Sequence, residues 1–391
     1  MTRPRIVVQM FLQMTELQDV FAQHGKTYQL NHSLLPNQLK VMRAIENCRT
    51  SALGGHIDEC DECGFIRISY NSCRNRHCPK CQTLNKERWI DARKDDLLNV
   101  GYFHVVFTIP DTLNPVAYQN QRAVYDILFK AAAETLSELS ADKKYLGAQI
   151  GFTEILHTWG QNLMHHPHIH CIVPGGGLNS CGEWVNSRKK FFIPVKVLSR
   201  KFRGKFLYYL KQAKLEFYGS ISYLQDNCMF NDFMSSLYQK EWIVYCKPPF
   251  KNAGCVVEYL GRYTHRVAIS NNRILKLEDG LVTFKWRDYK DNNKQRNMDL
   301  TTDEFIRRFL IHVLPNGFTK IRHYGLLSPR NKATKLKLCK KLTNTILNDA
   351  PKVKLSTLDF LKKLTGKDFT ICPCCGIGHL SRASPEKAVT A

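Results

Sequence analysis

Two Cys-x-x-Cys pairs, Cys60–Cys63 and Cys78–Cys81, stand fourteen residues apart in a block too short and too rich in turns to hold an apolar core by itself. Such spacing lets four thiolates surround one Zn2+ tetrahedrally. The expectation is therefore a closed structural zinc site made by Cys60, Cys63, Cys78 and Cys81. Cys48, His56, Cys73 and His77 lie before and between the pairs and form a second candidate set of nitrogen and sulfur ligands. Near the end, Cys372-Pro373-Cys374-Cys375 reads as half of a further ribbon, with Cys339 and His379 as candidate partners. The chain has fifteen cysteines and no recognisable secretion signal, which favours reduced thiols over disulfides and points to the cytoplasm.

The rest of the chain has enough apolar residues for ordinary cores. At 391 residues it has room for two or three domains, and 43% hydrophobic with 11% aromatic residues argues against disorder. A formal charge of +23 points to a polyanionic partner, for which nucleic acid is the default. No apolar run reaches the ~20 residues of a membrane span, so no membrane partner is expected.

Periodicity places helices over 10–47 (a stripe of Leu34, Leu35, Leu39, Met42 and Ile45), 83–99, 123–139 and 202–217. Strands are expected over 103–109, 151–159, 168–173 and 282–286, the last entered by a Glu278-Asp279-Gly280 turn. Three regions follow: a helical and zinc-binding domain over 1–95, a catalytic domain over 96–290 and a basic region over 291–391. Within the last, Arg330 to Lys341 carries six positive residues and no acid. The basic face of the 202–217 helix, with Lys201, Arg203, Lys205, Lys211 and Lys214, is expected to track phosphates, while Phe202, Phe206 and Tyr209 form its core side.

The chemistry is concentrated in His165-His166-Pro167-His168-Ile169-His170. On a strand, residues two apart leave the same face, so His168 and His170 present two imidazoles side by side. A third ligand is needed. If 151–159 and 168–173 form an antiparallel hairpin, His157 falls opposite that face; Gln161, His165 and His166 are the other candidates. Such a set, with open positions, suits Mg2+ or Mn2+ engaging a phosphate, and would also bind Zn2+.

Downstream, Tyr259-Leu260-Gly261-Arg262-Tyr263 places two phenols four residues apart, on one face if the segment is helical. Gly261 disfavours helix by about 1 kcal/mol relative to alanine. A histidine-held cation beside paired tyrosines points to breaking and rejoining a nucleic-acid strand through a phosphotyrosine. Storing the bond energy in that link removes the need for ATP, and no G-x-x-x-x-G-K-[ST] element is present. Arg74, Arg76, Arg262 and Arg266 are candidate phosphate contacts.

The order of these motifs resembles that of the rolling-circle insertion-sequence transposases of the two-tyrosine HUH class that carry an N-terminal zinc-binding domain. The matching stretches are Cys60 to Cys81 with Asn75-Arg76-His77-Cys78-Pro79-Lys80-Cys81, His157-Thr158-Trp159-Gly160-Gln161, His166-Pro167-His168-Ile169-His170 and Tyr259-Leu260-Gly261-Arg262-Tyr263-Thr264-His265-Arg266. Arg322-His323-Tyr324-Gly325 and the Cys372–Cys375 knuckle also match. The resemblance implies an α+β fold: an antiparallel-sheet HUH endonuclease core with a helical zinc-ribbon module before it and a basic tail after. It further implies His168 and His170 as the metal pair, Tyr259 and Tyr263 as nucleophiles, and single-stranded element ends and target DNA as substrate. A plasmid replication initiator or relaxase of the same chemistry is the nearest alternative. A zinc-ribbon DNA-binding protein without catalysis is the alternative of a different class.

Overall fold

The computed structural model describes residues 15–383, apart from 189–192, 248–255, 257–258, 260, 262–264, 266, 289–290 and 347–354. Helices α1 (Leu17–Asn31) and α2 (Pro36–Glu46) open the chain. The sequence suggested one helical stretch here, but Pro36, lacking an N–H, starts a new helix at its first position and separates the two. Leu35 is consequently 61% exposed just ahead of α2, and the buried stripe is carried by Leu17, Val20 and Phe21 with Val41, Met42 and Ile45.

A hairpin, β1 (Gly55–Cys60) and β2 (Ile66–Tyr70), turns through the first cysteine knuckle, and α3 (Pro79–Lys94) begins at the second. Next come β3 (Tyr102–Thr108), a short α4 (Asn114–Gln119), α5 (Gln121–Ala141), β4 (Gly151–Trp159) and β5 (His165–Pro174). A two-stranded ribbon, β6 (Gly176–Leu178) and β7 (Trp184–Asn186), leads to α6 (Val195–Gln212), α7 (Asn227–Gln239) and β8 (Val244–Lys247). Then follow β9 (Ile274–Glu278), β10 (Leu281–Asp288), β11 (Lys294–Thr301), α8 (Thr302–Leu310) and β12 (Ile321–Gly325). Short α9 (Lys337–Leu342), α10 (Thr357–Thr365) and β13 (Leu380–Arg382) end the described chain.

The fold is α+β, built on a five-stranded sheet of order β12-β4-β5-β3-β8 with every neighbouring pair antiparallel. Strand alternation assigns its two faces. Phe103, Val105 and Phe107 of β3, with Ile169, Cys171 and Val173 of β5, share a buried cluster with α5 and α6. The residues between them, His104 on β3 and His168 and His170 on β5, therefore face the other way. There Tyr102, Ile155, Ile172 and Val256 form a smaller cluster that Tyr259 packs against.

A second core joins α1 and α2 to the β9–β11 sheet and α8, through Phe21, Met42, Phe284, Phe305 and Phe309. Asp279 and Gly280, at φ 50° and 71°, make the tight turn between β9 and β10. Spatial packing does not follow the expected boundaries at 95/96 and 290/291. The region from 291 onward supplies β12 to the central sheet and β13 to the N-terminal hairpin, because an uncovered sheet edge takes whichever strand the chain brings to it.

Helix α6 differs from expectation on its polar side. Lys205 pairs with Glu134 and Glu138 of α5 at 2.8 and 2.5 Å, Lys201 pairs with Glu138 at 2.8 Å, and Arg203 donates to the Lys240 carbonyl. These cations fasten α6 to its neighbours, and Phe202 and Phe206 are fully buried in the core. Among the described residues, no helix is long and apolar enough to cross a membrane.

Candidate metal centre and tyrosine site

The β4–β5 hairpin register sets the histidine geometry. His157 lies directly opposite His168, and His170 opposite Ile155, with a register irregularity between His157 and Trp159. One ligand atom from each of His157, His168 and His170 lies within 4.8 Å of the others. Three imidazoles converging from two strands suit a divalent cation with open positions. The other candidates have further partners, and the His166 ring also packs 5.2 Å from that of His168. His165 meets the Tyr125 hydroxyl at 2.9 Å, His166 lies 3.5 Å from Asp111, and the Gln161 carbonyl accepts from Arg273.

A backbone partner behind the triad fixes one imidazole tautomer, and side-chain partners engage another ring. His168 Nδ1 donates to the His166 carbonyl at 2.6 Å, which leaves its Nε2 as the ligand atom. His170 Nδ1 sits 2.9 Å from His104 Nε2, and His104 Nδ1 in turn sits 2.8 Å from the Tyr259 hydroxyl. His104 had not been singled out from the sequence, where it is one residue in an apolar strand. The legible signal was its parity: it lies on β3 in the same alternation as Tyr102, opposite to Phe103 and Val105. Burial, with the nearby Lys247 charge, pulls His104 down to about 4, so it is neutral at pH 7.

Tyr259 is helical, as are Val256 and Gly261. That helix lies close against α3. A Cβ on Gly261 would clash with the end of the Ile90 side chain, which explains why glycine sits between the two phenols. The Lys247 ammonium lies 5.7 Å from the Tyr259 ring centre, and Trp89 of α3 packs 6.1 Å from the His265 ring. His265 is drawn down to about 4 by burial, then by Lys320 and Lys86. Tyr263, Arg262 and Arg266 lie outside the described residues.

The cysteines do not group as their spacing suggested. Cys78 and Cys81 join Cys48 and Cys73, whereas Cys60 and Cys63 join Cys372 and Cys375. In the first cluster the sulfurs of Cys48–Cys81, Cys73–Cys81 and Cys78–Cys48 each lie 3.6 Å apart. Tetrahedral Zn–S bonds of ~2.3 Å place sulfurs about 3.8 Å apart, so four thiolates here fit one zinc ion. The expected Cys60/Cys63/Cys78/Cys81 site fails because β1 and β2 carry the first knuckle away from the start of α3. His56 turns to Asp58 at 3.7 Å, and half-buried His77 accepts from the Leu314 N–H at 3.4 Å. Neither joins a sulfur cluster. Cys339 is buried among Leu98, Leu326 and Leu336, and His379 contacts Thr370, so neither partners the C-terminal knuckle.

Of the arginines, Arg76 donates to the Phe318 carbonyl at 2.5 Å and serves as an internal clamp. Arg74, at φ 54°, lines a cleft of about 1240 Å3 between the zinc-binding hairpin, α3 and α10, together with Arg49, Lys80 and Arg382. Lys80 is held there by Glu16.

Comparison with known proteins accords with this arrangement. Residues 151–335 match the family described as "Putative transposase", and residues 20–109 match the "Transposase zinc-binding domain" of the IS91 type. The chain is 48% identical over 376 residues to "Putative transposase y4qJ" of Sinorhizobium fredii, covering 93% of this chain and 94% of that one. It is 27% identical over 299 residues to the transposase for insertion sequence element IS801 of Pseudomonas savastanoi, covering 75% and 71%. A conjugative relaxase, TrwC, solved with oriT DNA, aligns with 32% of this chain and 48% of its own at 15% identity and a TM-score of 0.26, too slight a likeness to bear on function. With a relative this similar along nearly its whole length, the chain belongs to the two-tyrosine insertion-sequence transposase family that carries an N-terminal zinc-binding domain.

Proposed function

We propose that this transposase cuts and rejoins single-stranded DNA through a 5′-phosphotyrosine, with Tyr259 and Tyr263 as nucleophiles and His157, His168 and His170 holding Mg2+ or Mn2+. The observation that carries this reading is the hydrogen-bonded line from the Tyr259 hydroxyl through His104 to His170. It ties a nucleophile directly to a ligand of the candidate metal centre. A zinc-ribbon protein that only bound DNA would have no use for it.

A free phenol, with a pKa of about 10, is a weak nucleophile at neutral pH. When bound, the cation would polarise the scissile phosphate and stabilise charge on its oxygens. The chain's own residues contribute the rest. For His170 to offer its Nε2 lone pair to the ion, its Nδ1 must carry the proton and donate to His104 Nε2. His104, neutral and with one N–H, then carries that proton on Nδ1 and donates to the Tyr259 oxygen. The phenol thus faces a donor that stabilises its phenolate, and its proton leaves to solvent. The Lys247 charge favours the same ionisation. Attack forms a Tyr259 Oη–P bond and breaks the P–O3′ bond. The departing 3′ oxygen takes up a proton, and the 5′ phosphate stays on the enzyme. A later 3′ hydroxyl reverses the step to rejoin a strand, and Tyr263 would serve the second cleavage.

Incubation with a single-stranded oligonucleotide bearing the element end, with Mg2+ or EDTA, tests this. A covalent adduct that needs the ion and disappears in the Tyr259→Phe/Tyr263→Phe double variant, while DNA binding persists, is the expected result. An adduct undiminished in that variant overturns the assignment.

A further inference from the structure

Beyond the sulfur cluster at the start of α3, a second one joins the two ends of the described chain. We infer that Cys60, Cys63, Cys372 and Cys375 hold a Zn2+ of their own, which clasps the C-terminal segment onto the N-terminal hairpin. Cys372 and Cys375 lie outside both matched regions, 20–109 and 151–335, so this site does not belong to the matched zinc-binding stretch alone.

The two halves are built alike. In Cys60-Asp61-Glu62-Cys63-Gly64, glycine takes φ 66° and its N–H bonds the Cys60 carbonyl at 3.2 Å. In Cys372-Pro373-Cys374-Cys375-Gly376, glycine takes φ 75° and its N–H bonds the Cys372 carbonyl at 3.0 Å. Each is a tight turn that aims two thiols the same way, and the turns face each other. Cys60 and Cys375 sulfurs are 3.8 Å apart and Cys63 and Cys372 sulfurs 3.7 Å, matching the edge of about 3.8 Å expected for a tetrahedral ZnS4 unit. Backbone N–H groups of Cys374 and Gly378 point at the Cys372 and Cys375 sulfurs at 3.4 and 3.3 Å, the arrangement that supports thiolates. These sulfur separations are far beyond the ~2.05 Å of a disulfide.

The surrounding contacts hold the same two segments in register. β13 pairs with β1, Cys60 opposite Leu380, and Asp61 exchanges backbone and side-chain bonds with His379. Arg67 of β2 donates to the Phe369 carbonyl, and Lys363 of α10 pairs with Asp91 of α3. A side chain at Gly378 would run into the Cys60 sulfur, so the chain approaches the thiols at closest range there. The ion therefore closes a loop of more than 300 residues and builds one wall of the arginine-lined cleft.

The full chain loaded with Co2+ tests this, because thiolate-to-cobalt charge transfer reports sulfur sites and leaves the histidine triad silent. Cys60→Ser/Cys63→Ser, Cys372→Ser/Cys375→Ser and the quadruple variant should each lose the same half of that absorption. A quadruple variant losing twice what either pair loses, or a Cys372/Cys375 pair losing nothing, overturns the shared site. A second measurement needs no variant. In the zinc-loaded natural protein, alkylation followed by mass spectrometry should find Cys60, Cys63, Cys372 and Cys375 protected together and exposed Cys374 modified throughout. Equal modification of Cys372 and Cys374, or a Cys63–Cys372 disulfide, overturns the proposal.

Discussion

The Tyr259 hydroxyl and His104 Nδ1 lie 2.8 Å apart, joining a helix near residue 260 to a strand 155 positions earlier. His104 touches Tyr259, the proposed nucleophile, on one side and His170 on the other, so its loss should act on both. Replacing it with leucine keeps the strand buried and removes both hydrogen bonds. The expected result is a 10–100-fold fall in strand cleavage, together with weaker Mn2+ binding by calorimetry. Unchanged Mn2+ affinity would show that His104 does not orient His170.

The tyrosine helix rests on α3, where the end of the Ile90 side chain fills the space beside Gly261. Gly261→Ala should favour helix locally yet push Tyr259 away from His104. Cleavage is expected to fall at least tenfold with little change in melting temperature. Ile90→Ala should recover most of that loss by opening space. An equally impaired double variant would mean that this close approach does not position Tyr259.

Lys205 is committed to Glu134 and Glu138. Lys205→Ala is expected to cost about 1 kcal/mol of stability, in keeping with partly exposed pairs, and to leave DNA affinity within twofold. A large drop in affinity measured by fluorescence anisotropy would return α6 to the DNA-binding surface.

Arg74 lines the cleft between the zinc-binding hairpin and α10. If a DNA phosphate occupies that cleft, Arg74→Gln weakens binding to every sequence alike. It also flattens the plot of log affinity against log salt by about 0.7–0.9. An unaltered slope excludes the contact.

Glu154 of β4 is fully buried on the helix side of the sheet, where the Cys171 thiol reaches one carboxyl oxygen. Burial raises its pKa well above the ordinary value. The folded protein keeps this proton while the unfolded chain releases it above about pH 4.5. The unfolded state is then favoured increasingly as pH rises through that point toward the folded pKa. Glu154→Gln should therefore raise the melting temperature more at pH 8 than at pH 4. A pH-independent difference would show that Glu154 is ionised in the fold.

Much of this arrangement was legible before folding. Period-two alternation put His168 and His170 on one face, and the same alternation with a hairpin set His157 opposite them, because strand geometry is local. The tyrosine spacing was equally visible, though Gly261 read as a defect until α3 supplied its reason. Residue type and spacing also marked the cysteines as candidate ligands. Gly64 and Gly376, each following its knuckle, were a sequence signal that Cys60–Cys63 belongs with Cys372–Cys375, while Pro79 marks Cys78–Cys81 as the start of a helix.

The sequence by itself determined which side chains each strand and knuckle presents, since backbone sterics and pairing period act over a few residues. Only the tertiary structure decided which thiols meet, that His104 stands between His170 and Tyr259, and that Lys201 and Lys205 of α6 face carboxylates. Those pairings depend on how sheet edges and helices pack across hundreds of residues, a global balance of burial and chain closure that no local pattern encodes.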